Sequence, residues 1–212
     1  MNSRLVALLP ILCTATLSAS ISLEFSFTAT ASGADPLGLD GATFSFFASS
    51  DDEVYSDFGG FAYLEFDTIQ LTLSGSSMSD GTYSLTELNS GPIGAVPDAG
   101  SDTSILLLDS GGGPVDFTVG SFFELRNFSP YSSASVGGFV NPGDAVLPEH
   151  FDGLVVDGAG FPSFNIRTLP DLGYYSYTYA PFTVSVIPEP GVYGALAGLG
   201  ALGFVAYRRK RA

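Results

Sequence analysis

Apolar and polar residues alternate over much of the segment 21–187, and this alternation decides the predicted fold. From Ile21 to Phe27 every second residue is apolar, which predicts a strand with one buried face. The apolar residues between Val115 and Leu125 likewise share one parity. Between residues 61 and 73 the apolar positions change parity near Asp67-Thr68, which predicts a bulge or a break there. Helical periodicity of useful length does not occur, so strands are expected throughout.

Shorter apolar runs, separated by turn residues, predict further strands. One follows the turn at Asp40-Gly41, another follows Asp80-Gly81, and the short run from Ile105 to Leu108 is typical of a more central strand. Later candidates are 154–156, 164–168 and 174–186.

About eight to ten strands separated by Gly, Pro, Asn and Asp predict an all-β protein. We expect an antiparallel β-sandwich or jelly-roll-like domain over residues 21–187. A barrel is the alternative architecture. The segments 89–102 and 129–150 are the most loop-like, and a division into two domains at 89–102 is the alternative organisation.

The N-terminal segment 1–20 has the features of a secretory signal peptide. Arg4 precedes an apolar run from Leu5 to Leu12, and small residues follow up to Ser20. Cleavage by signal peptidase is expected after Ser20. Removal of this segment also removes Cys13, so the mature chain would rely on core burial rather than on disulfides.

Three consecutive features follow residue 187. Pro188, Glu189 and Pro190 form a rigid extended tripeptide, because proline cannot continue a helix. Residues 191–207 carry no charge and would span about 25 Å as a helix, the short end of a transmembrane length. A basic cluster then fixes a cytoplasmic tail under the positive-inside rule. It consists of Arg208, Arg209, Lys210 and Arg211.

This segment, 188–212, resembles the PEP-CTERM sorting signal, in which a Pro-Glu-Pro motif precedes an apolar helix and an Arg-rich end. The resemblance implies an exported protein of a Gram-negative bacterium that a membrane protease-transpeptidase, exosortase, processes. Pro188 to Pro190 would then be the recognition motif, and Arg208 to Arg211 the cytoplasmic anchor. Ile187 and Gly191 depart from the Val and the Ser or Ala found in many members. The family implies association with the cell surface or with extracellular polysaccharide, but no fold for residues 21–187.

Charge excludes one class of partner. Residues 21–187 contain 21 acidic residues and two arginines, Arg126 and Arg167, which gives a formal charge of −19. Such a surface repels phosphates, so nucleic-acid binding is excluded. Anionic lipid headgroups are repelled as well, whereas cations and neutral sugars are not.

Composition also limits the chemistry. With one Cys, one His and no Trp, the chain is a poor candidate for a Zn, haem or Fe–S site or for a Ser-His-Asp triad. We expect no catalytic activity and no cofactor. A secreted glycoside hydrolase with two carboxylates is the least favoured alternative, because abundant acids always supply some pair at the required separation.

Tyr175, Tyr177 and Tyr179 suggest a binding alternative. These residues share one face of a predicted strand, about 7 Å apart, where they could stack on the sugar rings of an extracellular polysaccharide. The absence of Trp, the commoner sugar platform, weakens this alternative, and the opposite parity, with Phe182 and Val184, resembles the core face. A cross-strand ladder of structural tyrosines is the favoured interpretation.

An acidic cluster suggests a Ca²⁺ site. The carboxylates of Asp51, Asp52, Glu53 and Asp57 could supply hard oxygen ligands, but they lack EF-hand spacing. Solvated loop charge is the favoured interpretation.

The sequence as a whole predicts an exported cell-surface or extracellular-matrix protein. It would be anchored transiently in the inner membrane by residues 191–207 and then processed at the Pro-Glu-Pro motif. A carbohydrate-binding β-sandwich module is the alternative.

Overall fold

The structure is a computed structural model. It describes residues 21–50, 56–58, 61–77, 80–88, 92–97, 103–109, 112–136, 140, 141, 146, 148–158, 162–169, 172–187 and 207. Within them the strands are β1 Ile21–Ala31, β2 Thr43–Ser50, β3 Ser56–Phe58, β4 Phe61–Glu65, β5 Thr68–Ser74, β6 Gly81–Ser84, β7 Thr86–Glu87, β8 Ile93–Val96, β9 Ser104–Asp109, β10 Val115–Val119, β11 Phe123–Phe128, β12 Tyr131–Ser132, β13 Val155–Val156, β14 Ser163–Thr168, β15 Tyr174–Tyr179 and β16 Phe182–Ile187. A single 3₁₀ turn among the described residues spans Pro148–His150.

The strands form two antiparallel sheets. The larger sheet has the order β6-β5-β2-β1-β15-β14-β11-β10-β7, with β16 paired to β1 and β13 paired to β16. It is nearly closed and barrel-like. The smaller sheet has the order β12-β9-β8-β4-β3, so β9 is flanked on both sides, as its apolar run predicts. The prediction of an antiparallel all-β fold is confirmed.

Strand β1 organises the large sheet. Its first eight residues pair with β2 on one side, from Ile21 opposite Ser50 to Thr28 opposite Thr43. On the other side its first half pairs with β16 and its second half with β15. The predicted alternation is confirmed, because the odd-numbered residues from Ile21 to Ala29 are buried.

A register shift separates β15 from β16. Ala29 pairs with Tyr179, whereas Phe25 pairs with Val184. The segment from Tyr179 to Val184 therefore contains one residue more than the stretch of β1 that it faces. An extra residue in one strand is a β-bulge, and it reverses which side chains face the core. Pro181 lies in this interval, and proline is tolerated there because the bulge interrupts the ladder, so its missing N–H leaves no pairing unmade.

The parity change predicted near Asp67-Thr68 marks a passage between the sheets. Phe66 N–H donates to Ile93 O of the small sheet, at 2.8 Å. Asp67 N–H donates to Ser49 O of the large sheet, also at 2.8 Å. Strand β4 therefore ends in one sheet and β5 begins in the other, which is the predicted break.

The loop predicted at 89–102 is wrong for residues 93–96, which form β8 and are all buried. The sequence signal is weak because Gly94 interrupts the apolar run. A Cβ added to Gly94 would lie 2.1 Å from Leu64 O, so glycine permits the close approach of β4.

The core is built from phenylalanine. Phe27 lies at its centre, 5 % exposed, with six aromatic rings around it. These rings belong to Phe44, Phe46, Phe128, Phe164, Tyr179 and Phe182, with centroids 5.0–6.0 Å from that of Phe27. A smaller cluster forms around Tyr63, Val96 and Leu108 in the small sheet.

Candidate functional site

The last strand leads directly into the segment predicted to be processed. Ile187, the final residue of β16, is the cross-strand partner of Ser22, and Val186 is the partner of Leu23. Opposed residues on antiparallel strands have Cα atoms about 4.5–5.5 Å apart. The residue before Pro188 therefore lies beside the second residue after the predicted signal-peptide cleavage site.

Asp152 holds the other edge of β16. Its Oδ1 accepts a hydrogen bond from Val186 N–H at 3.2 Å. Nearby, Gly153 N–H donates to Val184 O at 3.0 Å, and Val184 N–H donates to Leu154 O at 2.8 Å. The segment around Asp152 therefore acts as a short neighbouring strand, and β16 is bonded on both edges up to Val186. Sequence reasoning missed this role of Asp152, because a single acid in a turn carries no signal of its distant partner.

The predicted processing residues themselves lie outside the described residues. They are Pro188, Glu189, Pro190, Arg208, Arg209, Lys210 and Arg211. The predicted signal peptide, 1–20, also lies outside them, and of the predicted transmembrane helix only Tyr207 is described. No helix in the described part of the chain is long and apolar enough to cross a membrane.

Two of the three tyrosines of the predicted platform are buried. Tyr177 is fully buried and Tyr179 is 4 % exposed, so neither ring offers a face to a sugar. The bulge between β15 and β16 is the reason, since it brings both Tyr177 and Val184 to the core side despite their opposite parity. Tyr175 is half-buried and packs against the core.

The two buried tyrosines differ in the hydrogen bonding of their hydroxyl groups. Tyr177 Oη donates to Asp35 Oδ1 at 2.6 Å. Tyr179 Oη is buried and has no hydrogen-bond partner among the described residues. Burial raises the pKa of Tyr177, and the Asp35 carboxylate raises it further. Burial, with a smaller contribution from Asp157, raises the pKa of Tyr179 to about 12.

Of the four acidic residues proposed for Ca²⁺, only Asp57 lies within the described residues. Asp51, Asp52 and Glu53 lie outside the described residues, and Asp57 lies in β3 with its side chain undescribed. Within the described ranges, His, Cys, Asp and Glu form no group of three or more that could hold a metal ion.

A charged network lies on the outer side of the large sheet. Arg126 donates from Nη1 to Asp116 Oδ2 and from Nη2 to Glu124 Oε2, both at 2.6 Å. Arg167 donates to the same Glu124 oxygen at 3.1 Å. Both arginines of the segment 21–187 therefore converge on one carboxylate. The alternation pattern places Asp116, Glu124 and Arg126 on one parity, but only the pairing of β11 with β14 brings Arg167 to them.

Strand geometry positions this network. The register shift between β10 and β11 lies beside Asn127, whose φ is 56°. Asn127 N–H donates to Asp116 Oδ1 at 2.8 Å, and asparagine tolerates this left-handed conformation better than most residues. The bulge thus places the Asp116 carboxylate where it accepts hydrogen bonds from both Asn127 N–H and the Arg126 guanidinium.

The electrostatics of the network favour a structural role. Burial alone would raise the pKa of Glu124, but hydrogen bonds and charge from Arg126 and Arg167 outweigh it and lower the pKa. Glu124 is therefore held ionised at neutral pH. A general acid for glycoside hydrolysis needs the opposite shift.

Comparison with known proteins gives one family match, near the C-terminus of the chain. The PEP-CTERM protein-sorting motif family matches residues 186–211. The search of curated proteins found no match to the chain, and neither did the search of solved structures. The match begins at Val186, the residue whose N–H Asp152 binds, so β16 and the matched segment overlap by two residues. The chain is therefore similar to the PEP-CTERM protein-sorting motif over residues 186–211, which are 26 of its 212 residues.

Proposed function

We propose that the protein is exported and sorted by an exosortase-type membrane enzyme, which cuts near Pro188–Pro190 and delivers the β domain to the cell surface or extracellular matrix. The observation that carries this proposal is the sorting-motif match at residues 186–211, which begins within the last two residues of the final strand, β16. Residues 191–207 would hold the precursor in the inner membrane until the cut. The basic residues 208–211 would fix its orientation.

The delivered domain acts as a non-catalytic surface or matrix component in this proposal. Support comes from the single histidine of the chain and from Glu124, which two arginines hold ionised. The burial of Tyr177 and Tyr179 removes the aromatic surface on which sugar binding was predicted to depend. Function would then lie in the presence of a folded, strongly acidic domain outside the cell.

The test is the mass and the C-terminal residue of the native protein, measured separately in membrane and extracellular fractions. We expect the extracellular form to begin near Ile21 and to end between Ile187 and Gly191. A double variant, Pro188→Ala with Glu189→Ala, should accumulate as full-length protein in the inner membrane.

A matched control is Pro170→Ala with Asp171→Ala, which changes a Pro-acid pair within the domain and should be processed normally. An extracellular protein that still ends at Ala212 would overturn the proposal, and so would normal processing of the Pro188–Glu189 variant.

A further inference from the structure

The two ends of the described domain lie side by side on two paired strands of the large sheet, β1 and β16. Ser22 and Ile187 are direct partners, and β16 is bonded to β1 from Phe25–Val184 down to this pair. We propose that this pairing restrains cleavage at the sorting motif, so that the membrane enzyme must detach Ser185–Ile187 from the sheet before it cuts. This inference rests on the proposed function and adds a dependence of processing on the fold.

The restraint follows from competition for backbone groups. A processing enzyme commonly binds its substrate chain in an extended conformation and pairs with its backbone. Each backbone N–H or C=O that is already paired within the sheet is unavailable to an enzyme cleft. Because Pro188 is bonded to Ile187 with no spacer, the residues on the N-terminal side of the motif are the paired residues of β16.

Two separate contacts hold this end of the strand. The first is the ladder to β1, in which Leu23, the partner of Val186, is fully buried. The second is the Asp152 carboxylate on the opposite edge, 3.2 Å from Val186 N. Val186 and Ile187 are themselves only half-buried. Strand ends of this kind open locally at a small free-energy cost, so cleavage would be slowed rather than prevented.

In the proposed precursor the distance between the end of β16 and the membrane is also short. Gly191 is four residue steps beyond Ile187, which can span at most about 14 Å when fully extended. Residues 191–207 begin there, so the proposed precursor would hold the paired Ser22 and Ile187 within that distance of the bilayer. The enzyme would therefore act in a narrow space between a folded sheet and the membrane.

The experiment inserts Gly-Ser-Gly-Ser between Ile187 and Pro188 in the full-length protein in its host and follows processing by pulse–chase labelling. The spacer frees the motif from β16 and leaves the domain sequence unchanged. We expect the precursor half-life to shorten about tenfold, since opening the strand end is no longer required. The matched control places the same four residues between Pro190 and Gly191, where they add membrane distance but leave β16 adjacent to the motif.

A second pair of variants addresses the strand without an insertion. Asp152→Ala removes the acceptor for Val186 N–H and should shorten the half-life severalfold. Asp152→Asn keeps an acceptor oxygen and should restore a half-life near that of the unchanged protein. Equal amounts, after the pulse, of precursor that has lost residues 1–20 show that export is unaffected.

Two results would overturn the inference. One is an unchanged half-life with the spacer before Pro188, and the other is equal acceleration by both insertions, which would point to membrane distance alone. A Glu189→Ala variant in the same assay keeps the two proposals apart. If it blocks cleavage while the spacer has no effect, only the restraint is wrong; if it is processed normally, the proposed function itself is wrong.

Discussion

Tyr177 and Asp35 are joined by a hydrogen bond between residues 142 positions apart, with Tyr177 Oη 2.6 Å from Asp35 Oδ1. The same carboxylate accepts hydrogen bonds from Leu39 N–H and Asp40 N–H, both at 2.8 Å. Asp35 therefore organises the β1–β2 connection and fastens it to β15. Burial tends to raise the pKa of Asp35, but the bonds from Tyr177 and the backbone outweigh it and lower the pKa.

The first prediction compares two buried tyrosines. Tyr177→Phe should lower the free energy of unfolding by about 1–3 kcal/mol, because it removes the donor to a partly buried carboxylate. Tyr179→Phe is the matched control and should be neutral or stabilising, since its buried hydroxyl has no partner among the described residues. Urea denaturation of the processed protein measures both values. A larger loss for Tyr179→Phe would contradict this account.

The second prediction concerns alkaline pH. The pKa of Tyr179 is raised to about 12, chiefly by burial, so the folded state favours the neutral phenol. The resulting stability is fully present below the ordinary tyrosine pKa of about 10 and is lost as pH rises towards 12. We therefore expect stability to fall between about pH 10 and pH 12, and less steeply in Tyr179→Phe. Equal slopes in the two proteins would refute the assignment.

The third prediction concerns the ion-pair network. Glu124→Gln should destabilise the protein by about 1–3 kcal/mol, because two partly buried guanidinium groups lose their shared carboxylate. Glu24→Gln, at an exposed position on β1, should change stability by less than about 0.5 kcal/mol. The lowered pKa of Glu124 means that its contribution is present above the ordinary glutamate pKa of about 4.3. It should be lost as pH falls through the lower folded value, so acid titration of both variants provides a second readout.

The fourth prediction tests the aromatic core. Phe27→Ala should cost about 3–5 kcal/mol, because the ring is buried among six others and its removal leaves a cavity. Phe122→Ala is the comparison, since Phe122 is half-buried and has Tyr83 as an edge-on partner with centroids 6.2 Å apart. We expect a loss of about 1 kcal/mol there. Thermal or urea unfolding would show the difference, and similar losses at both positions would argue against Phe27 as the centre of the core.

The fifth prediction tests how closely β4 and β8 approach each other. Gly94→Ala should destabilise the protein by about 1–3 kcal/mol or more, because the new Cβ would overlap Leu64 O and the Tyr63 ring. Gly33→Ala has open space around its Cβ and should be neutral or slightly stabilising. Normal stability of the Gly94 variant would mean that the two strands can separate without cost.

The sequence alone was sufficient for features that depend on the local order of residues. The alternation from Ile21 to Phe27 predicts β1, and the parity change near Asp67-Thr68 predicts a bulge or a break where the structure has one strand end and the next begin. The sorting segment is equally local, because its motif, apolar stretch and basic cluster are contiguous. A pattern of this kind follows from the two-residue period of a strand or from linear order, and neither requires knowledge of partners.

Tertiary structure alone decided which residues meet. The one-residue bulge between Tyr179 and Val184 buries tyrosines that the alternation pattern assigned to the opposite face. Strand pairing also brought Arg167 to Glu124, and Ser22 to Ile187. Register and partner choice are set by the packing of the whole core, because a shift of one residue would move every side chain of a strand to the other face. Composition and periodicity are unchanged by such a shift, which is why they could not reveal it.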